Sequence, residues 1–245
     1  FLQQDLGEFG LKATIVSMDD FYLGAEGTPT LPDGTKDYET VNALDIGLVQ
    51  SCLESIIGSG SCWLPAYDFA ESRRRLNVRE LDVRDHGFVI MEGIHALNPI
   101  FTKNLPEGSA IKLYVSVKQQ IKDVNGEVIS PMDIRLVRRI CRDVQFRGTS
   151  AERTISMWSN VVAGEDKYIR PYRLSADYTV NSIHIYEPCV LRGAVIPLLR
   201  AIPEDSPYYR KARELDSRLM RFEPVNAELV PESSMLREFL GPKQA

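Results

Sequence analysis

The 245-residue chain sets 29 basic against 34 acidic side chains, a net charge of −5. A sequence-blind nucleic-acid binder needs net positive charge to displace counterions, so that class is disfavoured. With 44% hydrophobic and 26% charged residues, the composition excludes disordered, collagenous and low-complexity proteins, and the length suits one large domain or two small ones. No run of 18 apolar residues occurs, and residues 1–10 show no basic stretch followed by an apolar one. The sequence therefore predicts neither a transmembrane span nor a signal peptide. Cys52, Cys62, Cys141 and Cys189 form no C-x-x-C, and His86, His95 and His184 are scattered. Zinc-site spacing is absent, and the cysteines read as free thiols of a reducing cytosol.

In chain order, Leu2, Leu6 and Phe9 fall at helical spacing with Gly10 as a stop, the end of a helix expected to begin upstream of Phe1. Residues 13–18 (ATIVSM) are an apolar strand-like run closed by Asp19 and Asp20. A Gly/Pro-rich loop follows over 24–36, and Gly58-Ser59-Gly60 marks the turn after a helix. Residues 88–91 (FVIM) repeat the strand pattern, closed by Glu92 and Gly93. Residues 111–117 (IKLYVSV) and 178–180 (YTV) are two further strands. Ser130 and Pro131 supply an N-cap and an N1 proline for a helix that stops at Gly148. Thr149-Ser150-Ala151-Glu152 reads as a capping box for the next helix, through Trp158. Ser206-Pro207 opens another, with Leu215, Leu219 and Phe222 on one buried face. Strands alternating with helices predict an α/β fold with a mostly parallel sheet, whose ligands sit beyond the carboxyl ends of the strands.

Four stretches could carry chemistry. Asp19 at the end of the first strand can bind Mg²⁺ or accept a proton from a nucleophile, or merely cap a turn. Glu92 ends the second strand, where a carboxylate must be solvated or paired, and Gly93 lets another group approach closely. His95 reads as a structural residue. Arg135, Arg138, Arg139 and Arg142 fall at i, i+3, i+4 and i+7 on one helix face, with Arg147 beyond. They can clamp phosphate oxygens, or form a solvated face paired with Asp133 and Asp143. Tyr67 and Phe69, beside the charged turn 71–75, can line a base pocket or pack a hairpin. Two strand-end acids plus an arginine helix make the electrostatic half of a phosphoryl-transfer site. The phosphate-cradling G-x-x-x-x-G-K-[ST] is not found in this chain.

Taken together, the residues resemble uridine kinase and its bacterial-type nucleoside-kinase relatives, within the P-loop kinases. The matching stretches run in order: SMDDFY (17–22), LPDG…DYET…ALD (31–45), LPAYDF (64–69), VIMEGIHALNP (89–99), DIRLVRRICRDVQFRG (133–148), TISMWSNVVAGEDKYIRPY (154–172) and ADYTVNS (176–182). SMLREFLG (234–241) is similar to the end of the relatives' C-terminal extension. The resemblance implies a P-loop NTPase-like three-layer α/β fold with a mostly parallel sheet, an arginine-bearing helical lid and a C-terminal helical extension. It implies a kinase domain over residues 1–202 and an extension, packed on the same domain, over 203–245. In that family the central strand and the P-loop lie just upstream of the helix that residues 1–9 would complete. The resemblance therefore implies a sequence whose beginning lies elsewhere, and a sheet without that strand would expose apolar faces.

The resemblance also implies roles. Asp19 is the general base for the acceptor 5′-hydroxyl and also reaches Mg²⁺, and Glu92 holds Mg²⁺ through water. Arg135, Arg139, Arg142 and Arg147 are lid residues that neutralise the transferring phosphoryl group. Glu39 binds ribose hydroxyls, and Tyr22, Tyr67 and Phe69 line the nucleoside pocket. Three departures stand out: the uridine–cytidine kinases have a base-contacting His where this chain has Ser72, an Arg where it has Thr149, and a Gln where it has Met157. The implied activity is ATP- and Mg²⁺-dependent phosphorylation of a uridine- or cytidine-like ribonucleoside, in cytoplasmic pyrimidine salvage. The implied partners are nucleoside and ATP, with no nucleic acid and no membrane, and a homo-oligomer is left open. Two alternatives remain: a P-loop kinase of another alcohol, such as a sugar phosphate or a pantothenate-like acceptor, or a degenerate kinase fold kept as a binding module.

Overall fold

The computed structural model describes residues 2–32, 34–68, 71–85 and 87–242. In chain order its elements are α1 (Leu2–Glu8), β1 (Ala13–Ser17), α2 (Ile46–Ser59), β2 (Ser61–Asp68), β3 (Arg73–Asp82), β4 (Phe88–Glu92), β5 (Leu113–Ser116), β6 (Ile121–Lys122), β7 (Val128–Ile129), α3 (Pro131–Arg147), α4 (Ala151–Tyr168), β8 (Tyr178–Asn181), α5 (Glu187–Arg200), α6 (Tyr209–Leu219) and α7 (Arg237–Leu240). The fold is mixed α/β. The chain divides into two compact units, residues 1–114 with 163–178, and residues 115–162 with 179–245.

In the first unit β1 and β4 pair in parallel, Ala13 opposite Phe88 through Ser17 opposite Glu92. Parallel pairing without slip puts the carboxyl ends of both strands on one level. Val16 and Met18 enter a core with Phe21, Leu44, Val49, Leu64 and Leu81, each large side chain contributing about 1.5–3 kcal/mol on burial. Ile15 and Phe88 remain exposed. The Asp45 carboxylate accepts from the Leu48 N–H to start α2, and Gly60, left-handed at φ 76°, ends it as the G-S-G signal predicts. Strands β2 and β3 form an antiparallel hairpin whose register shifts between Leu64 and Ala66. Pro65 sits at that shift, where its missing N–H costs the ladder nothing.

In the second unit Ser130 and Asp133 form a reciprocal capping box with Pro131 at the start of α3, and Gly148 closes the helix at φ 60°. The buried faces of α3, α5 and α6 supply Ile134, Val137, Ile140, Leu191, Val195, Leu199, Leu215 and Leu219 to one core. Burial alone would raise the Asp133 carboxyl, but Ser130, Lys211 and Arg218 together hold it below its ordinary value. Strand β5 pairs with β8, and β6 with β7; Val115 and Val180 are exposed.

Several boundaries differ from the sequence reading. The third strand is shorter than 111–117, because the Lys112 carbonyl turns to the N–H groups of Asp177 and Tyr178. Helix α4 runs to Tyr168, ten residues past Trp158, and its cap is Ser150 rather than Thr149: the Ser150 hydroxyl accepts from the Arg153 N–H at 3.2 Å. Helix α5 and the β6–β7 hairpin have no counterpart in the sequence reading.

Candidate active site

In the first unit the strand ends gather the predicted acids. The Ser17 hydroxyl accepts from the Asp19 N–H at 3.4 Å, starting a 3₁₀ turn over Met18–Phe21 that presents Asp19 to solvent. Glu92, opposite Ser17 in the ladder, is likewise exposed. Asp20 is different. Its carboxylate accepts from the Tyr67 N–H at 3.1 Å, so of this acidic pair Asp20 holds β2 and Asp19 faces outward. Gly93 adopts φ 153°, and a Cβ there would lie 2.7 Å from the Met18 Cβ. Only glycine lets the two strand ends approach this closely.

Beside the acids lies an aromatic group. The Tyr22 hydroxyl donates to the Tyr38 carbonyl at 3.1 Å. The Tyr22 ring meets Tyr38 edge-on at 6.1 Å and Tyr67 at 5.7 Å. Burial, then the charges of Asp19 and Glu39, push the Tyr22 phenol above its ordinary value, so both carboxylates act on this hydroxyl. Burial also raises Tyr67, while the Ser72 hydroxyl against it works the other way. Phe69 lies outside the described residues.

Glu39 is half-buried, with its N–H donating to Asp37 Oδ1 at 3.1 Å. The Tyr168 hydroxyl donates to Asp37 Oδ2 at 3.3 Å, which commits both oxygens of Asp37 to holding the turn. Gly164 allows Glu39 to pack there, since a Cβ at Gly164 would sit 2.9 Å from the Glu39 Cβ. The sequence reading does not single out Tyr38, Gly164 and Tyr168; the stretches DYET and VVAGEDKYIRPY contain them, but nothing local marks their contacts.

In the second unit, Arg135, Arg138, Arg139 and Arg142 line a cleft of about 230 Å³ with Trp158, Ser182, Glu238 and Phe239. The four guanidiniums are not equivalent. Arg138 is buried, paired through Nε with Glu187 Oε1, through Nη2 with Glu187 Oε2 at 2.7 Å, and with the Ser182 carbonyl at 2.7 Å. The Glu187 carboxylate is wholly buried, so Arg138 belongs to the scaffold. The buried carboxylate of Asp143 lies 3.3 Å from Arg139 and 3.1 Å from Arg147 and accepts from the Thr154 hydroxyl at 3.0 Å. Arg142 reaches Glu238 at 3.4 Å; burial, then Arg147, lowers its ordinary guanidinium value. Arg135 lies over the Trp158 ring at 5.9 Å. Asp143 therefore pairs with the arginines as one sequence reading allowed, whereas Asp133 turns to Lys211 and Arg218.

All four cysteines are free, and among the described residues no helix is long and apolar enough to cross a membrane. The uridine kinase of Clostridium novyi (strain NT) is 28% identical over 168 residues, 68% of this chain and 72% of that protein. The uridine kinase of Mycoplasma genitalium is 29% identical over 153 residues, covering 62% of this chain and 63% of its own. The solved structure of the YGR205w protein aligns with 71% of this chain and 74% of its own, at 14% identity and a TM-score of 0.42. Over residues 15–187, a span that takes in both strand-end acids and the arginine helix, the chain matches the family described as PRK, phosphoribulokinase/uridine kinase. It belongs to that family of kinases.

Proposed function

We propose that the chain is a nucleoside kinase, transferring the γ-phosphoryl group of ATP to the 5′-hydroxyl of a uridine- or cytidine-like ribonucleoside in the cytoplasm. The observation that carries this reading is the in-register parallel pairing of β1 and β4, which sets Asp19 and Glu92 at neighbouring strand ends beside Tyr22 and Tyr67. The uridine kinases it resembles support the choice of acceptor. Residues 203–245 are, on this reading, an extension of the kinase domain.

Among the described residues no group of three or more His, Cys, Asp or Glu side chains is placed to hold a metal ion. Two exposed carboxylates suit Mg²⁺, which usually takes one or two carboxylates and completes its shell with phosphate oxygens and water. Asp19 and Glu92 would hold it. Held there, the ion would supply positive charge against the phosphate oxygens. Asp19 accepts the proton of the 5′-hydroxyl as that oxygen forms its bond to phosphorus, while the bond to the β-phosphate oxygen breaks and ADP leaves. Such a base is worth about 10²–10⁴-fold. Glu39 accepts hydrogen bonds from the ribose hydroxyls, and Tyr22, Tyr67 and Phe69 line the nucleoside pocket. Arg135, Arg139, Arg142 and Arg147 neutralise the transferring group. Another alcohol acceptor is favoured by one observation: Ser72, Thr149 and Met157 stand where the uridine–cytidine kinases carry polar base contacts.

The test is a phosphoryl-transfer assay with ATP, Mg²⁺ and a panel of nucleosides, sugar phosphates and pantothenate. Nucleoside monophosphate that falls at least a hundredfold with Asp19→Asn is the expected result. Turnover of a different alcohol alone would move the acceptor. ATP binding without turnover of any of these would point to an acceptor outside the panel, and neither turnover nor ATP binding would leave a binding module in place of the enzyme.

A further inference from the structure

His95 is only 2% exposed, and neither ring nitrogen meets a partner at full hydrogen-bond geometry, although the Glu39 backbone stands close enough to act on the ring as a hydrogen-bonding group. Buried polar atoms are nearly always paired, and an unpaired one is costly. A leucine would fill this space without that cost, so the imidazole calls for a reason. Its surroundings supply one. The ring meets Tyr168 edge-on at 6.2 Å, and Tyr168 holds Asp37. The backbone of Glu39 and the carboxylate of Asp37 are the polar groups that act on the imidazole; burial outweighs both and lowers it to about 4. At neutral pH the ring is therefore uncharged, with one donor and one acceptor.

We propose that His95 is a positioning residue for the acceptor: its ring is the internal partner of the segment 37–39, and the hydrogen bond between them is completed when an acceptor's vicinal hydroxyls engage the Glu39 carboxylate. The inference rests on the proposed role of Glu39. A short movement of the Glu39 carbonyl onto the ring donor satisfies the buried nitrogen. Acceptor binding and this hydrogen bond then reinforce each other, and a ligand lacking the diol gains neither. The effect is a preference for ribose-like acceptors, exerted by a side chain that never touches them.

Steady-state kinetics of His95→Leu and His95→Asn test this, together with long-range ¹⁵N–¹H spectra of the histidine-labelled unmodified chain, whose three histidines make assignment simple. His95→Leu is expected to raise the acceptor KM about five- to tenfold, the worth of one neutral hydrogen bond. The ATP KM and kcat should stay within twofold, and the melting temperature should hold or rise. His95→Asn, which keeps a donor, should recover most of the loss. In the unmodified chain the His95 ring signals should shift with saturating nucleoside. An unchanged acceptor KM in the leucine variant overturns the proposal, as do ring signals that ignore the nucleoside, and the latter needs no variant to fold. Unmodified protein that binds ATP and yet phosphorylates no nucleoside overturns the acceptor reading and this inference with it. Turnover with an indifferent His95 overturns the inference alone.

Discussion

The two regions that hold the candidate site residues are built on opposite plans. In the first unit the acids stand mainly on backbone geometry: a parallel ladder in register sets Asp19 and Glu92 at neighbouring strand ends, the Ser17 hydroxyl caps the turn that carries Asp19, and both acids face solvent. In the second unit the arginines are held in place by other charges. Arg138 is locked to Glu187, Arg139 and Arg147 share Asp143, and Arg142 meets Glu238. A carboxylate is cheap to present at the end of a strand, where water solvates it. A cluster of guanidiniums repels itself and has to be interleaved with buried carboxylates to be held in one geometry. A charge run along a helix is thus part scaffold and part function, and the sequence spacing does not separate the two.

The sharpest way to break this contrast is Arg138→Leu. It strands the wholly buried Glu187, and removing one partner of a buried pair costs about 3–5 kcal/mol. For a chain of this size that lowers the melting temperature by about 6–20 °C. The double variant Arg138→Leu/Glu187→Leu should recover much of it. Lost turnover with an unchanged melting temperature would instead make Arg138 part of the catalytic set.

A smaller effect is expected at the clasp of the first unit. In Gly164→Ala the new methyl group meets the Glu39 Cβ at 2.9 Å, so the Glu39 side chain must shift. The methyl group also favours the helix by up to about 1 kcal/mol, and stability is expected to change little. The acceptor KM should rise about tenfold while the ATP KM holds. Equal changes in both would show that Glu39 is not an acceptor contact.

How much of this was legible in the sequence follows from which interactions are local. Strand β4 shows as an apolar run closed by an acid, and α3 shows through Ser130, Pro131 and Gly148, because caps and periodicity act within a few residues. Asp19 and Glu92 were legible for the same reason. The partner of Arg138 was not: Glu187 lies 49 positions away, and four arginines at helical spacing look alike until tertiary packing buries one. The Gly164–Glu39 contact is equally non-local, and an unremarkable helical glycine carries no local signal. Helix α5 carries no local capping signal of the α3 kind: its N-cap residue Tyr186 makes no side-chain capping bond, and Pro197 lies inside the helix.

The mildest perturbation separates scaffold from function within the arginine cleft. Arg142 and Glu238 meet at 3.4 Å with side-chain exposures of 30% and 54%, and such a pair contributes about 0–1 kcal/mol. Glu238→Gln should therefore leave the melting temperature within about 4 °C. It does, however, remove a negative charge from the mouth of a cleft proposed to meet phosphate oxygens. Affinity for ATP should rise about two- to threefold at low salt, and the gain should shrink as ionic strength screens the charge. Trp158 lines the cleft and Trp63 is the only other tryptophan, so fluorescence in a Trp63→Phe background reports the binding. An unchanged affinity at low salt would assign Arg142 to the scaffold beside Arg138, leaving Arg135, Arg139 and Arg147 to carry the phosphoryl charge.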